Sequence, residues 1–228
     1  MPLLGQAAML LGFDIDAEAI TEHDHWHTYE HLPERLSIPG FLRGTRWVAT
    51  HGAPRYMVLY EVDRLETLTS AAYLERLDHP SPWTRSMMPH YRGMTRGLCR
   101  VVCSTGLAVG AHGLLVRFQP AGDAQARLER LLVDEILPPL PQRPGLGSTH
   151  LLQSAAAPVM TSEQRIRGAD AGVDWALLVT GYEAEALALL ERAAGARAAW
   201  ERHGASGVAS ARYQAACSLS AQDLQARE

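Results

Sequence analysis

His23-Asp24-His25-Trp26-His27-Thr28-Tyr29-Glu30-His31-Leu32-Pro33-Glu34-Arg35-Leu36-Ser37-Ile38-Pro39-Gly40-Phe41 is the stretch from which the rest of the chain can be ordered. It places four of the ten histidines within nine residues, beside a tryptophan, a tyrosine and two carboxylates. It then meets Pro33, which supplies no N–H and restricts the residue before it, and leaves through a Pro-Gly turn. The tail of the stretch recurs. Glu30, Leu32, Pro33, Pro39 and Gly40 are matched by Glu135, Leu137, Pro138, Pro144 and Gly145, each pair 105 residues apart, and Phe13 and Phe118 share the spacing. Farther on, Tyr56 matches Trp175 at 119, which locates a 14-residue insertion in the second half. Trp83-Thr84-Arg85 faces Trp200-Glu201-Arg202 at 117, and Cys103-Ser104 faces Cys217-Ser218 at 114. Five matches at one offset mark an internal duplication.

Outward from this stretch, each half has the same order. Ala7 to Ile15 has the length and apolar content of a strand, and Asp16 can cap a helix that reaches about Leu32. Phe41 to His51 and Arg55 to Val62 read as a strand pair around Gly52-Ala53-Pro54, Leu65 to Leu77 as a helix, and Leu98 to Ser104 as a strand. The second half repeats this with strands at Leu114 to Phe118, Leu146 to Gln153, Trp175 to Thr180 and Val208 to Cys217. Its helices are Asp123 to Leu137 and Glu183 to Arg202. The segment Ala155 to Gly172 is longer than a hairpin requires and is a candidate lid. The fold class is therefore α+β: tandem ferredoxin-like βαββαβ repeats, spanning residues 1–105 and 106–228. Each sheet has a bare apolar face that must be covered, so the two are expected to cover each other as a barrel with helices outside and a cavity inside.

Composition excludes several function classes. A net charge of -4 without long charged blocks gives no nucleic-acid footprint. No apolar run approaches the roughly 20 residues of a spanning helix, so no membrane partner is expected. The first 12 residues are apolar but lack a basic leader, and read as the approach to a strand; a cytoplasmic protein is the expectation. All 21 cationic residues are arginine, so no Schiff-base lysine exists. The three cysteines form no C-x-x-C pair and read as buried strand thiols. Neither a dinucleotide loop nor a G-x-S-x-G elbow is present.

The pattern Trp26, His31, Leu32, Pro33, then Pro39-Gly40 resembles the W-x4-H-x-P and P-G signature of the dimeric α+β barrel superfamily, and within it the EthD-like proteins. The resemblance is best over Ala7 to Ser104 and weak in the second half, where Ile136 stands at the histidine position. It implies an intrachain barrel with a small-molecule site between sheet and helices or in the barrel interior. Relatives include isomerases, cyclases, decarboxylases, cofactor-free monooxygenases and haem proteins. The second half then reads as a scaffold, with one site per chain. A tandem chain covers its own sheet, so a homodimer is permitted but not required.

On a helical wheel His23, His27, Glu30, His31 and Glu34 share a sector of about 100°, with His25, Tyr29, Leu32 and Leu36 opposite, and the apolar side is expected to dock on the sheet. Imidazole chemistry suits proton transfer near neutral pH. His31 beside Pro33 is the expected acid or base, which the resemblance also implies, and Glu30 its orienting carboxylate. Trp26, His27 and Tyr29 would wall a ligand, Arg46 would hold an anion, and Trp47, Tyr60, Trp83 and Arg85 are further candidate contacts. His27 to His31 also fits H-x-x-E-H, but no third ligand is identifiable and Pro33 disturbs the turn, so no metal is assigned. Haem remains open. The expected function is cofactor-free isomerisation, cyclisation or dehydration of an aromatic or carbonyl-bearing metabolite, with non-catalytic ligand binding as the alternative.

Overall fold

A computed structural model describes residues 2–155, 162–167, 170–194 and 197–226 of the chain. Alternation of apolar side chains builds its strands. In β1 (Ala7–Ile15), Met9, Leu11 and Phe13 face the helices while Ala8 and Leu10 face the opposite side. In β3 (Tyr56–Val62), Tyr56, Val58 and Tyr60 face the helices, with Met57 and Leu59 opposite. The same division recurs in β5 (His112–Pro120) and β8 (Trp175–Gly181). Both faces of these strands are buried, which explains why they read as nearly continuous apolar runs.

With β2 (Phe41–His51), β4 (Tyr91–Gly106), β6 (Leu146–Ser154) and β9 (Ala205–Ser220), these strands close an eight-stranded antiparallel barrel. The first four are ordered β4-β1-β3-β2 and the others β9-β5-β8-β6, and the seams are β2–β9 and β4–β6. The two 16-residue strands make the seams. β4 runs along β1 and then crosses to β6, while β9 runs along β5 and then crosses to β2. A two-residue strand, β7 (Ala171–Gly172), adds parallel to β4. The expected interior cavity is instead filled: Leu10, Trp47, Met57, Leu59, Leu115, Leu178 and Tyr213 pack there as one core. The cavities of interest lie outside, between sheet and helices.

The helices cover the outer face in two groups. α1 (Ile20–Trp26), a π-helical turn at His27–His31 and α2 (Leu32–Leu36) form one bent rod, with α3 (Ala71–Asp78) and α4 (Pro82–Met87) beside it. The second group contains α5 (Gln125–Arg130), another π-helical turn at Leu131–Ile136, α7 (Ala184–Ala194) and α8 (Arg197–Arg202). Both π-turns immediately precede a Leu-Pro pair. Pro33 and Pro138 cannot donate to the carbonyl four residues back, and their rings crowd it, so the preceding turn widens. Leu137 N–H accordingly bonds the Leu132 carbonyl, five residues back, at 2.9 Å, and Leu32 N–H bonds that of His27. The repeated Pro-Gly turns also match, with φ of 91° at Gly40 and 86° at Gly145.

Two further elements tie the groups together. α6 (Ser162–Arg167), within the inserted segment, packs on α3 at the far end of the first helical group. α9 (Ala221–Gln225) follows β9 and packs on α2 and β2. Strand β4 begins at Tyr91, seven residues before the expected Leu98, which matters for the site. Leu65 to Leu77 divides into a 3-10 turn and α3. The central portion of the candidate lid, 156–161, lies outside the described residues. Among those described, no helix is long and apolar enough to cross a membrane. All three cysteines are free and lie on β4 and β9.

Candidate active site

The histidine face of the first rod is buried against the sheet, contrary to the expectation that the Tyr29 and His25 side would dock. His23, His27 and His31 are buried, whereas Tyr29 is 73% exposed. The extra residue of the π-turn supplies the reason. It rotates everything after His31 by about 100°, bringing Leu32, Arg35 and Leu36 onto the face that already carries His23 and His27.

The imidazoles form a row. His23 lies 5.6 Å from His27, and His27 lies 5.6 Å from His31, measured between ring centroids. His23 packs on Tyr56, bonds Asp24 through Nδ1 at 3.2 Å, and meets the Tyr91 hydroxyl through Nε2 at 3.3 Å. Burial lowers its pKa, against the opposing pull of Asp24. His27 is held well below the ordinary histidine value, first by burial and then by His23, Arg46 and Arg35. His31 stacks 4.4 Å from Trp26, and its Nδ1 is 3.9 Å from Glu34 Oε2. Burial raises the pKa of Glu34, partly offset by Arg35.

Below this row is a cavity of about 20 Å³, room for roughly one water molecule. Its polar lining includes His27, His31, Arg35, Tyr60, Arg96 and Glu163, with Tyr73 and Tyr91 beside them. Arg35 is clamped: one end of its guanidinium pairs with Glu163 of α6, and the other is 3.5 Å from Glu34. Burial works against its charge, but Glu163 and the neighbouring groups hold its pKa above the ordinary arginine value. Arg96 on β4 donates to the Tyr73 hydroxyl at 3.2 Å, and both guanidiniums stand about 6 Å from the Tyr73 ring. Among the described residues, His27 Nδ1, Tyr60 Oη and Arg96 Nε, buried atoms of residues that line the cavity, have no hydrogen-bond partner.

The expected site residues separate into three groups. His27, His31 and Tyr60 line the cavity, and Trp26 supports His31 from behind. Glu30 turns away from the histidines and accepts from Trp26 Nε1, Ser81 and Thr84, so the carboxylate beside His31 is Glu34. Arg46 bonds the Asp24 carbonyl at 3.1 Å and fixes the rod, and Trp47 belongs to the barrel interior. Tyr29 and Arg85 are exposed, and Trp83 bonds Glu22 near the surface. The sequence patterns that mark the histidine row do not single out Arg35, Tyr73, Tyr91, Arg96 or Glu163, which also line the cavity. Two signals point to some of them: the inserted segment that carries Glu163, and the alternation Met94, Arg96, Leu98, which extends β4 backwards.

Glu30's orientation also separates it from His27 and His31 as a metal-binding set. Among the described residues, Asp16, Glu18 and His90 do stand close enough to share an ion, but Asp16 already pairs with Arg92 at 2.6 Å.

No family model matches the sequence, and no curated protein does so either. Solved structures do match in shape. An anthrone oxidase-like protein superposes with a TM-score of 0.70 at 13% identity, over 97% of this chain and 96% of that one. A candidate monooxygenase from Fusobacterium nucleatum gives 0.58 at 8%, over 96% of each chain. A mutant chlorite dismutase from Candidatus Nitrospira defluvii gives 0.51 at 10%, over 99% and 97%. At these identities the likeness is one of fold: the chain shares with these structures an antiparallel α+β barrel, closed here by a single polypeptide.

Proposed function

We propose that this chain is an EthD-like, cofactor-free enzyme that transfers a proton on an aromatic or carbonyl-bearing small molecule in the first-half pocket. The two halves, 1–105 and 106–228, are read as tandem ferredoxin-like repeats. Matching strand orders, π-turns and Phe13–Tyr56 and Phe118–Trp175 pairings support that reading. The observation that carries the functional reading is that His27, Tyr60 and Arg96, each with a buried polar atom lacking a partner among the described residues, line one cavity. Each buried polar group without a partner costs roughly 1–3 kcal/mol, and a bound oxygen-bearing ligand would recover that cost.

Roles follow from the environments. His27, with its depressed pKa, is too weakly basic to be the principal acceptor and serves as a neutral hydrogen-bonding ring. His31 takes the proton from carbon, and Glu34 stabilises the resulting imidazolium. The electron pair left by the broken C–H bond moves onto the carbonyl oxygen, where Arg35, Arg96 and Tyr60 hold the enolate. With Arg35 bound to Glu163 the cavity is too small for such a ligand, so the ligand oxygen replaces the Glu163 carboxylate on Arg35.

Anthrone, an aromatic ketone with an acidic methylene, is a suitable probe because the anthrone oxidase-like protein shares the fold. Deuterium exchange into that methylene is measured anaerobically by NMR. The wild type should accelerate exchange, and His31→Ala should remove roughly 10²-fold or more of the acceleration. Binding without exchange, or equal exchange by the variant, would sink the enzymatic reading and leave a ligand-binding protein.

A further inference from the structure

The second half holds a larger cavity at the corresponding place, about 440 Å³, within the range of small-molecule sites. The repeat explains why it is apolar and open. His27, His31 and Arg35 correspond at 105 residues to Leu132, Ile136 and Leu140, and Tyr60 corresponds at 119 to Val179. All four second-half residues line the cavity, as do Leu114 and Val116, the counterparts of Met9 and Leu11. Replacing an arginine and a tyrosine by leucine and valine removes both charge and bulk. The cover is also asymmetric. α6 belongs to the connection between β6 and β8 and seals the first pocket, whereas β2 and β3 are joined by only the short segment 52–55, which provides no counterpart over the second.

We propose that this second cavity is a binding site for a hydrocarbon-rich molecule bearing one carboxylate, of the fatty-acid or arylalkanoate class. Its floor is formed by Leu128, Leu132, Leu177 and Val179, with the Trp200 indole at one side. The polar residues lining it are exposed: Arg143 and His203 offer N–H donors, and Glu135 is the single carboxylate among the described lining residues. An acid can therefore bury its chain and place its oxygens at Arg143, while an amine would find only Glu135. The site is independent of the chemistry assigned to the first half.

Dodecanoate, dodecanol and dodecylamine are titrated into the full chain by calorimetry. Dodecanoate should bind with one equivalent per chain and at least threefold more tightly than the other two. Ile136→Trp, at a 39% exposed lining position, should weaken it at least tenfold by filling the cavity. Arg143→Ala, a surface change, should weaken dodecanoate about three- to tenfold and leave dodecanol unchanged. Absence of dodecanoate binding, or indifference to Ile136→Trp, would overturn the site. Equal affinity for acid and alcohol would overturn the assignment of ligand class.

Discussion

An imidazole is tolerated in a protein interior while it is neutral and resists burial once charged. His150 shows this outside the candidate site: it bonds Ser104 and Ser148 at 2.9 Å each, and burial pushes its pKa down to about 3. Because the folded value lies below the unfolded 6.5, the unfolded chain binds the proton first. Stability is therefore complete above about pH 6.5 and falls as the pH falls. His150 alone should cost about 2 kcal/mol between pH 7 and pH 5, and His23 and His27 add in the same direction. Urea unfolding at the two pH values measures the loss, and His150→Gln should reduce it; a pH-independent midpoint would contradict the assignment. The histidine row was conspicuous in the sequence, but its burial was not. Polarity scales place histidine outside, and nothing local announces that Phe13, Tyr56 and Tyr91 wait across the interface.

At the scale of elements, Pro33 and Pro138 were readable as breaks, but the form of the break was not. A wheel at constant pitch cannot represent the extra residue of a π-turn, and so it does not bring Arg35 onto the face that lines the pocket. The inserted segment was readable from the shift in offset, 105 to 119, while its crossing to the other half depends on contacts far apart in sequence. α6 is anchored by Glu163 on Arg35, so Glu163→Ala leaves a buried guanidinium with only Glu34. The expected destabilisation is about 3 kcal/mol, accompanied by faster amide exchange across Ser162–Arg167. Unchanged stability and exchange would show that the pair does not hold α6.

For the whole molecule, the duplication made the barrel legible: two sheets with bare faces have few ways to cover them. The filling of the barrel was less accessible, because Trp47 reads equally well as a ligand wall or as core. It is core, 1% exposed, and Trp47→Ala should cost about 3–5 kcal/mol without altering ligand affinity at either pocket. Since β4 and β9 each span the seam, residues 1–105 and 106–228 expressed separately should be insoluble or unfolded and should form a complex when co-expressed. Two independently folded fragments would contradict a shared interior core. On the function proposed above, the histidine face is sealed against the sheet as a neutral, proton-handling site. Nitrogen-15 NMR of the His27 ring through a pH titration tests it most directly. The ring should remain neutral through pH 6 and below, whereas protonation near pH 6.5 would place it in water and contradict the claim.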